Sequence, residues 1–570
     1  GIPSSGDLGE YEPRIYFGQF SPSYSIVGGD DGGSPHELDY PDDAAPSGQV
    51  NTTFAGNGGP DVSNPLNRLL YAVRFQEMNI LFSQEVRAGS QILYDRNPAE
   101  RVSKVAPWLT LDGSPYPAVV DHDGDPSTPK RVVWILDGYT TTNNYPYSQH
   151  ESLEETMSEA ATGQANLLGA PEESNYVRNS VKAVVDAYDG SVTLYEWDDN
   201  DPILAAWKAV FPGSVTPMSQ MSADLMAHMR YPEDLFKVQR TILASYHVTS
   251  AADFYSGGDF WKVPDDPTRD SDPSQVGESP QAPYYLTLQM PGQESASFSL
   301  SSVYIPGGST GRNVLTGFLA VDSETNSGQA GVRNPGYGQI RLLELPRSSN
   351  VPGPGQVQNY FNSSTEVSQV LNVLGGLQGS QVIKGNLLTL PVGGGLLYVQ
   401  PVYVQSSSGT QYPLLRKVLV AFGDKVGFAD TLSEALNQVF GGDSGATTGE
   451  ETVDGDAAAA NDTSTTTAPS GGDGAGASAA PTQAPSAQVT TAPPTAAQTP
   501  TAAATASPST GTSTGDPQAD LDAALSDIQT AKTDADQAMK DGDWAKVGEA
   551  QNRLSNAIDR AVEAQKRLKG

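Results

Sequence analysis

Hydrophobic and polar residues alternate most regularly in the middle of the chain, on both sides of Asp189-Gly190. The residues that share one face before this dipeptide are Val181, Ala183, Val185 and Ala187. After it, one face carries Val192 and Leu194, and the other carries Thr193, Tyr195 and Trp197. Asp-Gly tolerates positive φ angles between two such runs, so the pattern predicts a β-hairpin with a type I′ turn. We expect this hairpin to organise a sheet.

Helical periodicity appears on either side of the hairpin. An apolar stripe at spacings of three and four follows Asn64-Pro65, where Asn64 suits the N-cap and Pro65 the first helical position. Its residues are Leu66, Leu69, Leu70, Val73, Met78, Leu81 and Phe82. Further short helices are predicted at 98–105, from Asp201-Pro202, from Ser222, and from Glu233 after Pro232. The helices that follow Asp201 and Ser222 are expected to pack on the hairpin's sheet.

Strand patterns dominate the rest of the first 440 residues. Before the hairpin, 118–120 and 131–136 form a candidate strand pair. After residue 283, the predicted strands are 284–290, 296–304, 313–321, 339–345, 381–390, 396–405 and 414–422, with helices at 357–374 and 432–440. Residues 1–440 are therefore predicted to form a β-rich α+β body, with subdomains near 1–263 and 284–440.

The composition changes abruptly at Gly441. Residues 441–515 contain no aromatic residue, Lys or Arg, and consist mostly of Thr, Ala, Pro, Ser and Gly. Such a stretch buries too little apolar surface to offset the entropy of ordering, so it is predicted to be a disordered linker.

Residues 516–570 resume helical periodicity and are predicted to form a helical hairpin. Its apolar residues are Leu521, Leu525, Ile528, Met539, Val547, Leu554, Ile558, Ala561 and Leu568. Asp541-Gly-Asp-Trp544 makes the turn, with Asp543 as the second N-cap. Two Ala-rich helices bury little area, so we expect this hairpin to dock on another surface or to self-associate.

The charge balance, the lack of cysteine and the absence of long apolar runs argue against several classes of protein. Acidic side chains number 67 against 33 basic ones, giving a formal net charge of −34, which disfavours binding to nucleic acid or to anionic lipid headgroups. The absence of Cys excludes disulfides, thiolate catalysis and Cys-ligated metal centres. No apolar run reaches the ~18 residues that span a bilayer. The first residues lack the features of a signal peptide, and we expect the chain to be part of a longer protein.

Short catalytic motifs occur without the structural context that they need. Gly511-Thr-Ser-Thr-Gly515 matches a nucleophile elbow, and Gly442-Asp-Ser-Gly445 resembles a serine-protease string, but both lie in the predicted linker. The five histidines, which are His36, His122, His150, His228 and His247, show no metal-ligand spacing. Aromatic groups near Tyr139–Tyr147 and Phe254–Trp261 suit either core anchors or a sugar- or lipid-binding groove. We therefore assign no catalytic residue, and the sequence favours a non-enzymatic role.

Three acids at alternate positions form the one candidate metal site. Asp121, Asp123 and Asp125 could converge on a Ca²⁺ ion, which prefers oxygen ligands. An EF-hand would require Gly at the sixth position and Glu at the twelfth, where this chain has Pro126 and Val132. An acidic hairpin turn without a metal is the simpler interpretation. No other cofactor is indicated.

Strings distributed along the chain resemble one family, the large actinobacterial and cyanobacterial membrane proteins grouped as uncharacterised protein family 0182. The strings in the first half are Arg14-Ile-Tyr-Phe-Gly18, Glu37-Leu-Asp-Tyr-Pro41, Arg96-Asn-Pro-Ala-Glu-Arg-Val102, Ala106-Pro-Trp-Leu-Thr110, Asp137-Gly-Tyr-Thr-Thr141, Asn175-Tyr-Val-Arg-Asn-Ser-Val-Lys182, Val185-Asp-Ala-Tyr-Asp-Gly190, His228-Met-Arg-Tyr-Pro-Glu-Asp-Leu-Phe236 and Tyr246-His-Val248. The later strings are Gly353-Pro-Gly-Gln356, Leu396-Leu-Tyr-Val-Gln-Pro401 and Gly542-Asp-Trp544.

The resemblance implies an N-terminal transmembrane region before Gly1, followed by a large domain on the extracytoplasmic side of the cell membrane. It transfers no activity and no catalytic residues. We therefore expect the soluble extracytoplasmic region of a membrane protein, with its own transmembrane region as a partner.

Three functional hypotheses follow in order of preference. The first is a structural or interaction module of the cell envelope that forms a homo-oligomer. The second is a binding domain for an envelope lipid or glycan that assists a membrane-embedded transport half, which requires an apolar or aromatic cleft. The third is an envelope hydrolase with two carboxylates facing each other across a cleft.

Overall fold

The structure is a computed structural model of the chain. It describes residues 9–445 apart from 30–34, 36, 114, 123, 126, 158–172, 269–279, 309–312, 347, 349, 377–379 and 407–411. Beyond residue 445 it describes individual helical residues between 523 and 567. The chain divides into two units, Gly1–Thr466 and Thr467–Gly570.

Strands and short helices are interspersed throughout the first unit, which confirms the predicted α+β class. The strands are β1 (Tyr11–Glu12), β2 (Tyr24–Gly28), β3 (Glu37–Pro41), β4 (Gln49–Thr52), β5 (Ser90–Tyr94), β6 (Thr110–Leu111), β7 (Tyr116–Val120), β8 (Lys130–Thr142), β9 (Tyr176–Asp186), β10 (Val192–Glu196), β11 (Trp261–Lys262), β12 (Tyr284–Leu288), β13 (Ser297–Pro306), β14 (Gly317–Asp322), β15 (Ile340–Glu344), β16 (Ser380–Lys384), β17 (Leu388–Val392), β18 (Gly395–Ser406), β19 (Leu414–Phe422) and β20 (Lys425–Ala429). The helices are α1 (Pro65–Phe75), α2 (Asn79–Phe82), α3 (Pro98–Val105), α4 (Leu153–Met157), α5 (Pro202–Val210), α6 (Ala223–Ala227), α7 (Glu233–Tyr246), α8 (Ala251–Ser256), α9 (Pro354–Ser363), α10 (Thr365–Gly376) and α11 (Leu432–Phe440).

The predicted hairpin lies in the first of three larger sheets. Its strand order is β1-β8-β9-β10, with β6 and β7 also paired to β8. Both faces of this sheet are covered, and the helices that follow Asp201 and Ser222 both pack on it, as expected. The residues packed with α3 and α5 on one face include Val181, Ala183, Val185 and Leu194. Those packed with α6 on the other face include Val184, Tyr195 and Trp197.

The turn of this hairpin differs from the predicted one. Val185 pairs with Val192, so the loop runs from Ala187 to Gly190 and is longer than the two residues of a type I′ turn. Only Gly190 takes a positive φ, of 73°, and a Cβ there would lie 2.6 Å from the Phe17 ring. The Asp186 carboxylate accepts the backbone N–H groups of Tyr188 and Asp189 at 2.7 and 3.1 Å. Asp186 therefore stabilises the loop.

The second and third sheets share one hydrophobic core. Their orders are β11-β13-β14-β15, with β12 on β13, and β16-β18-β19-β20, with β17 on β18. Side chains from both sheets and from α9 meet in this core, among them Val303, Phe318, Leu396, Tyr398, Leu419, Val357 and Phe361. On the outer faces, α7 packs on the second sheet and α11 on the third. The strands predicted after residue 283 thus form two sheets packed face to face.

The first helix buries a different side from the one its stripe indicates. Asn64 caps α1 as predicted, accepting the Asn67 N–H at 2.8 Å. The stripe is largely exposed, however, with Leu66 at 66%, Leu70 at 55% and Phe82 at 70%. The buried contacts of α1 and α2 come instead from Ala72 and Ile80, with Tyr71 and Phe75 partly buried beside them. Periodicity located the helices, and packing against β2 and β5 selected the buried side.

Two ion pairs organise the described part of the second unit. Arg560 contacts Asp527 at 2.6 Å, and Arg553 contacts Asp534 at 2.9 Å. The second pair lies seven residues nearer the turn on both segments, which is the spacing expected of antiparallel helices. The apolar residues named for this hairpin, Asp543, and the linker beyond residue 445 lie outside the described residues. None of the helices that the structure describes is both long and apolar enough to cross a membrane.

Gly427 allows α11 to approach β20 closely. A Cβ on Gly427 would collide with the backbone carbonyl oxygen of Ala435 and would lie 3.0 Å from a Val439 methyl. Because backbone cannot yield as a side chain can, we expect Gly427→Ala to lower the free energy of unfolding by about 1–3 kcal/mol. Urea denaturation followed by tryptophan fluorescence measures this change.

The matched control is Gly355→Ala in α9, where the nearest atom to the new Cβ is Asn313 Nδ2 at 3.8 Å. Alanine favours a helix over glycine by up to about 1 kcal/mol, so this variant should be neutral or stabilised. Equal stability losses in the two variants would contradict the close approach of α11.

Candidate binding cleft

An open cleft of about 710 Å³ lies beside the third sheet. Its walls come from the segment before α9, the last turn of α9, the start of β18 and the β19–β20 hairpin. The lining residues are Asn350, Val351, Pro352, Tyr360, Ser363, Ser364, Gly395, Leu396, Tyr398, Phe422, Gly423, Asp424 and Val426. The volume falls within the range of about 300–1,000 Å³ typical of small-molecule sites.

Helix α9 forms one wall because its opposite side is anchored in the core. Gly353 is its N-cap, and a Cβ at that position would collide with the Asn313 carbonyl oxygen. Val357 and Phe361 are fully buried, whereas Tyr360 is 48% exposed. Residues three apart share a helix face, so Tyr360 and Ser363 both line the cleft. The wall therefore presents an aromatic ring beside hydroxyl groups.

The floor of the cleft is apolar and fixed in place. Tyr398 is 2% exposed, and its hydroxyl donates to the Pro352 carbonyl oxygen. Burial raises the pKa of Tyr398 well above its usual value, so the hydroxyl keeps its proton and remains a donor. Phe422 packs on Phe440 with ring centroids 5.4 Å apart, and Gly395 leaves room for the Phe422 ring. This floor suits an apolar ligand surface, and it is preformed.

Polar groups are confined to a small part of the lining. Their side-chain members are the Asn350 amide, the Ser363, Ser364 and Tyr360 hydroxyls and the Asp424 carboxylate, whereas the Tyr398 hydroxyl donates to Pro352. Of two other cavities, the one of about 490 Å³ has mainly polar walls, and the one of about 450 Å³ mixes Val367, Leu371, Val382 and Ile383 with polar side chains. The 710 Å³ cleft thus combines an apolar body with a few polar groups, as binding sites usually do.

A buried network of ionisable groups lies outside the cleft, between the first sheet and α7. Lys182 and Asp137 are opposite each other on β9 and β8 and form an ion pair whose side chains are 0% and 5% exposed. The Lys182 ammonium also donates to the Arg230 carbonyl oxygen at 2.7 Å and lies 5.0 Å from the Trp197 ring. Burial lowers the pKa of Lys182, although the charge of Asp137 opposes this shift.

A second pair of acids belongs to the same network. Asp112 Oδ2 accepts the Tyr139 hydroxyl at 2.6 Å and the Asp234 backbone N–H at 3.1 Å. The Asp234 carboxylate accepts from Lys237 at 3.0 Å and from the Gly113 N–H at 2.9 Å. Burial, followed by the charges of Asp234 and Asp137, raises the pKa of Asp112 to about 8. These acids are held by internal partners and do not line the cleft.

The predicted metal site is only partly described. Asp121 Oδ1 accepts the Gly124 N–H at 2.8 Å, and Asp125 Oδ1 accepts the Ser127 N–H and hydroxyl at 2.9 and 2.7 Å. Asp123 lies outside the described residues. Within those residues, no group of three or more His, Cys, Asp or Glu is arranged to hold a metal ion. The Ca²⁺ site therefore stays a prediction.

Three of the four histidines that the structure describes, His150, His228 and His247, have contacts that explain their positions. His228 and His247 each place Nδ1 2.8 Å from a carbonyl oxygen four residues earlier, on Asp224 and Leu243. His247 also stacks on Trp261 with ring centroids 3.5 Å apart. His150 Nε2 lies 3.0 Å from the Asn143 carbonyl oxygen, and His36 lies outside the described residues.

The other motifs do not contribute to the cleft either. Tyr139 is buried in the network, Tyr145 and Tyr147 are exposed, and Phe254 packs on Phe260. Ser444 of the 442–445 string follows α11, where its backbone N–H donates to Asn437 Oδ1 at 2.8 Å. The 511–515 string lies outside the described residues.

The sequence did not identify the cleft. Its lining comes from three segments, 350–364, 395–398 and 422–426, and none of them carries a catalytic or ligand-binding motif. The strings at Gly353 and Leu396 that support the family resemblance border the cleft, and they are the nearest signal to it.

Comparison with known proteins identifies relatives along the whole chain. The model of the Uncharacterised protein family (UPF0182) matches residues 1–374. A UPF0182 protein of Paenarthrobacter aurescens is 51% identical over 576 residues, covering 100% of this chain and 52% of that protein. A UPF0182 protein of Kocuria rhizophila is 52% identical over 573 residues, covering 99% of this chain and 53% of that protein.

The chain spans about half the length of the curated relatives it matches. No solved structure matches it. The family match covers well over half of the residues, and the alignments at 51% and 52% identity cover 100% and 99% of the chain. The chain therefore belongs to uncharacterised protein family 0182.

Proposed function

We propose that this region is a binding domain for an amphipathic molecule of the cell envelope. The apolar part of the ligand would lie on Leu396, Phe422 and Val426, and its polar part would contact Ser363, Ser364 and Asp424. In this proposal the domain lies on the extracytoplasmic side of the membrane and presents the ligand to a membrane-embedded part of the protein. The observation that carries the proposal is the preformed cleft with its aromatic wall.

The cleft favours ligand binding over the alternatives. A structural module needs no cavity of about 710 Å³ with a fixed apolar floor. A two-carboxylate hydrolase needs a second acid facing the first, and Asp424 is the single acid among the described lining residues. Apolar walls with a few polar groups provide affinity and orientation for a ligand that has both characters.

The ring of Tyr360 offers a direct test. Removing it with Tyr360→Ala should weaken the binding of dodecyl maltoside, an alkyl glycoside, by about tenfold, because the ring supplies aromatic contact area worth roughly 1–1.5 kcal/mol. Isothermal titration calorimetry below the micellar concentration measures this change. Because Tyr360 is 48% exposed, its replacement should leave the fold intact, and circular dichroism checks this.

The control is Asn359→Ala, an exposed neighbour on α9 that does not line the cleft. It should bind like the unmodified chain. Equal effects of the two substitutions would argue against the cleft as the binding site. Absence of any binding, together with self-association in analytical ultracentrifugation, would favour the structural module.

A further inference from the structure

We infer that the cleft selects an amphiphile with an uncharged, hydroxyl-rich head, such as a glycolipid, and that Asp424 discriminates against anionic heads. This inference rests on the proposed binding function and specifies its ligand class.

The first argument for this selectivity is the charge of the residues that line the cleft. Among its described lining residues, none is Lys, Arg or His, and Asp424 supplies the single formal charge. Phosphate and carboxylate groups are bound in proteins chiefly by Arg, Lys and backbone N–H groups. A negatively charged head would therefore meet a carboxylate with no compensating cation from these residues. The net charge of −34 on the whole chain acts in the same direction.

The second argument for this selectivity is the position of Asp424 in the turn between β19 and β20. Phe422 pairs with Lys425, so Gly423 and Asp424 form a two-residue turn at the end of the β19–β20 hairpin. Gly423 takes a φ of 62°, as the first residue of a type II′ turn does. Within the described part of the chain, the Asp424 carboxylate has no hydrogen bond or ion pair, and the residue is exposed. Its two oxygens are therefore available as acceptors.

The remaining polar groups complement a sugar. A carboxylate can accept from two neighbouring hydroxyls. The Ser363 hydroxyl donates to the Tyr360 carbonyl oxygen at 3.2 Å and keeps acceptor capacity, and the Ser364 hydroxyl accepts the Val367 N–H at 3.5 Å and can still donate. The half-exposed ring of Tyr360 provides an apolar face beside them. Sugars present hydroxyl donors at their edges and C–H groups on their faces, which matches this arrangement. The apolar floor then takes the alkyl chain.

The test compares two ligands that share one alkyl chain, dodecyl maltoside and monododecyl phosphate, by isothermal titration calorimetry on the full chain. The unmodified protein should bind the maltoside at least tenfold more tightly. Asp424→Lys should shift the ratio of the two dissociation constants toward the phosphate by at least tenfold, and Asp424→Asn by a smaller factor. Glu344→Lys makes the same charge change at an exposed position outside the cleft and should leave the ratio within twofold.

The possible outcomes separate this inference from the proposed function. Equal binding of both amphiphiles, or a ratio that does not respond to Asp424→Lys and Asp424→Asn, overturns the head-group selectivity and leaves the binding function intact. Binding of neither amphiphile overturns the proposed function itself. Maltose without the alkyl chain should bind at least tenfold more weakly, and equal affinity for maltose would exclude a lipid-linked ligand.

Discussion

Replacing Lys182 by Met is expected to lower the free energy of unfolding by about 3–5 kcal/mol. The ammonium of Lys182 is fully buried, and it pairs with an Asp137 carboxylate that is almost as inaccessible. Removing the ammonium leaves that carboxylate without its cation and leaves the Arg230 carbonyl oxygen without its donor. Burial of an uncompensated charge accounts for most of the expected loss.

The energetic contribution of this ion pair can be measured with a double variant. Asp137 and Lys182 are direct cross-strand partners at the centre of the first sheet. Replacing both by apolar residues, Asp137→Leu with Lys182→Met, removes both charges and most of the desolvation penalty. Buried ion pairs replaced in this way are often neutral or stabilising. We therefore expect the double variant to be more stable than Lys182→Met alone, with a coupling energy of about 2 kcal/mol or more.

A second cation on β9 supplies the control. Arg178 pairs with Asp198 at 3.0 Å, but its side chain is 42% exposed. Such surface pairs contribute about 0–1 kcal/mol, so Arg178→Met should change stability by less than that amount. Urea denaturation followed by tryptophan fluorescence compares the unmodified protein with Lys182→Met, Asp137→Leu, the double variant and Arg178→Met. A loss below 1 kcal/mol in Lys182→Met, or additive losses in the double variant, would show that the pair is not energetically coupled.

Local patterns in the sequence predicted much of the fold. Period-two alternation identified β9 and β10 and assigned their faces correctly, because one set of residues packs against α3 and α5 and the other against α6. Asn64 and Asp201 were recognisable as N-caps because an acceptor side chain before Pro is a local signal. These features depend on residues only a few positions apart.

Features that depend on distant residues could not be predicted in this way. The pairing of Asp137 with Lys182 requires the register of β8 against β9, which the two strand patterns do not determine without the fold. The cleft joins Tyr360, Leu396 and Asp424 from separate segments, and each segment alone has an ordinary composition. The stripe on α1 shows the converse case, since a clear local pattern indicated the wrong buried side.

The second large expected effect concerns Asp112. We expect the free energy of unfolding to fall as the pH rises, because the folded protein favours the protonated form of Asp112. Burial and the charges of Asp234 and Asp137 raise its pKa to about 8, whereas an Asp in the unfolded chain has a pKa of about 3.9. Between these values the folded protein keeps a proton on Asp112 that the unfolded chain has released. The contribution of this group is fully present below about pH 4 and is lost progressively until about pH 8.

Asp112→Asn isolates this contribution, because the amide keeps an acceptor oxygen for Tyr139 and cannot ionise. Stability of the unmodified protein should fall relative to the variant by up to about 1.4 kcal/mol per pH unit in the middle of the window. Between pH 5 and pH 8 the difference should reach on the order of 3 kcal/mol. Denaturant titrations at each pH give the two stability curves, and only their difference is attributed to Asp112.

Asp201 provides a control, because its pKa is shifted in the opposite direction from that of Asp112. Burial acts to raise the pKa of Asp201, but hydrogen bonds from Thr140, Ser180 and Tyr176 outweigh it and hold the pKa below the usual value. Its contribution is therefore present above about pH 4 and is lost as the pH falls through the lowered pKa. Asp201→Asn should lower stability by a constant amount between pH 5 and pH 8 and leave the slope unchanged. If Asp112→Asn also left the slope unchanged, Asp112 would have to be ionised in the folded protein, and the buried network would carry one more negative charge than we infer.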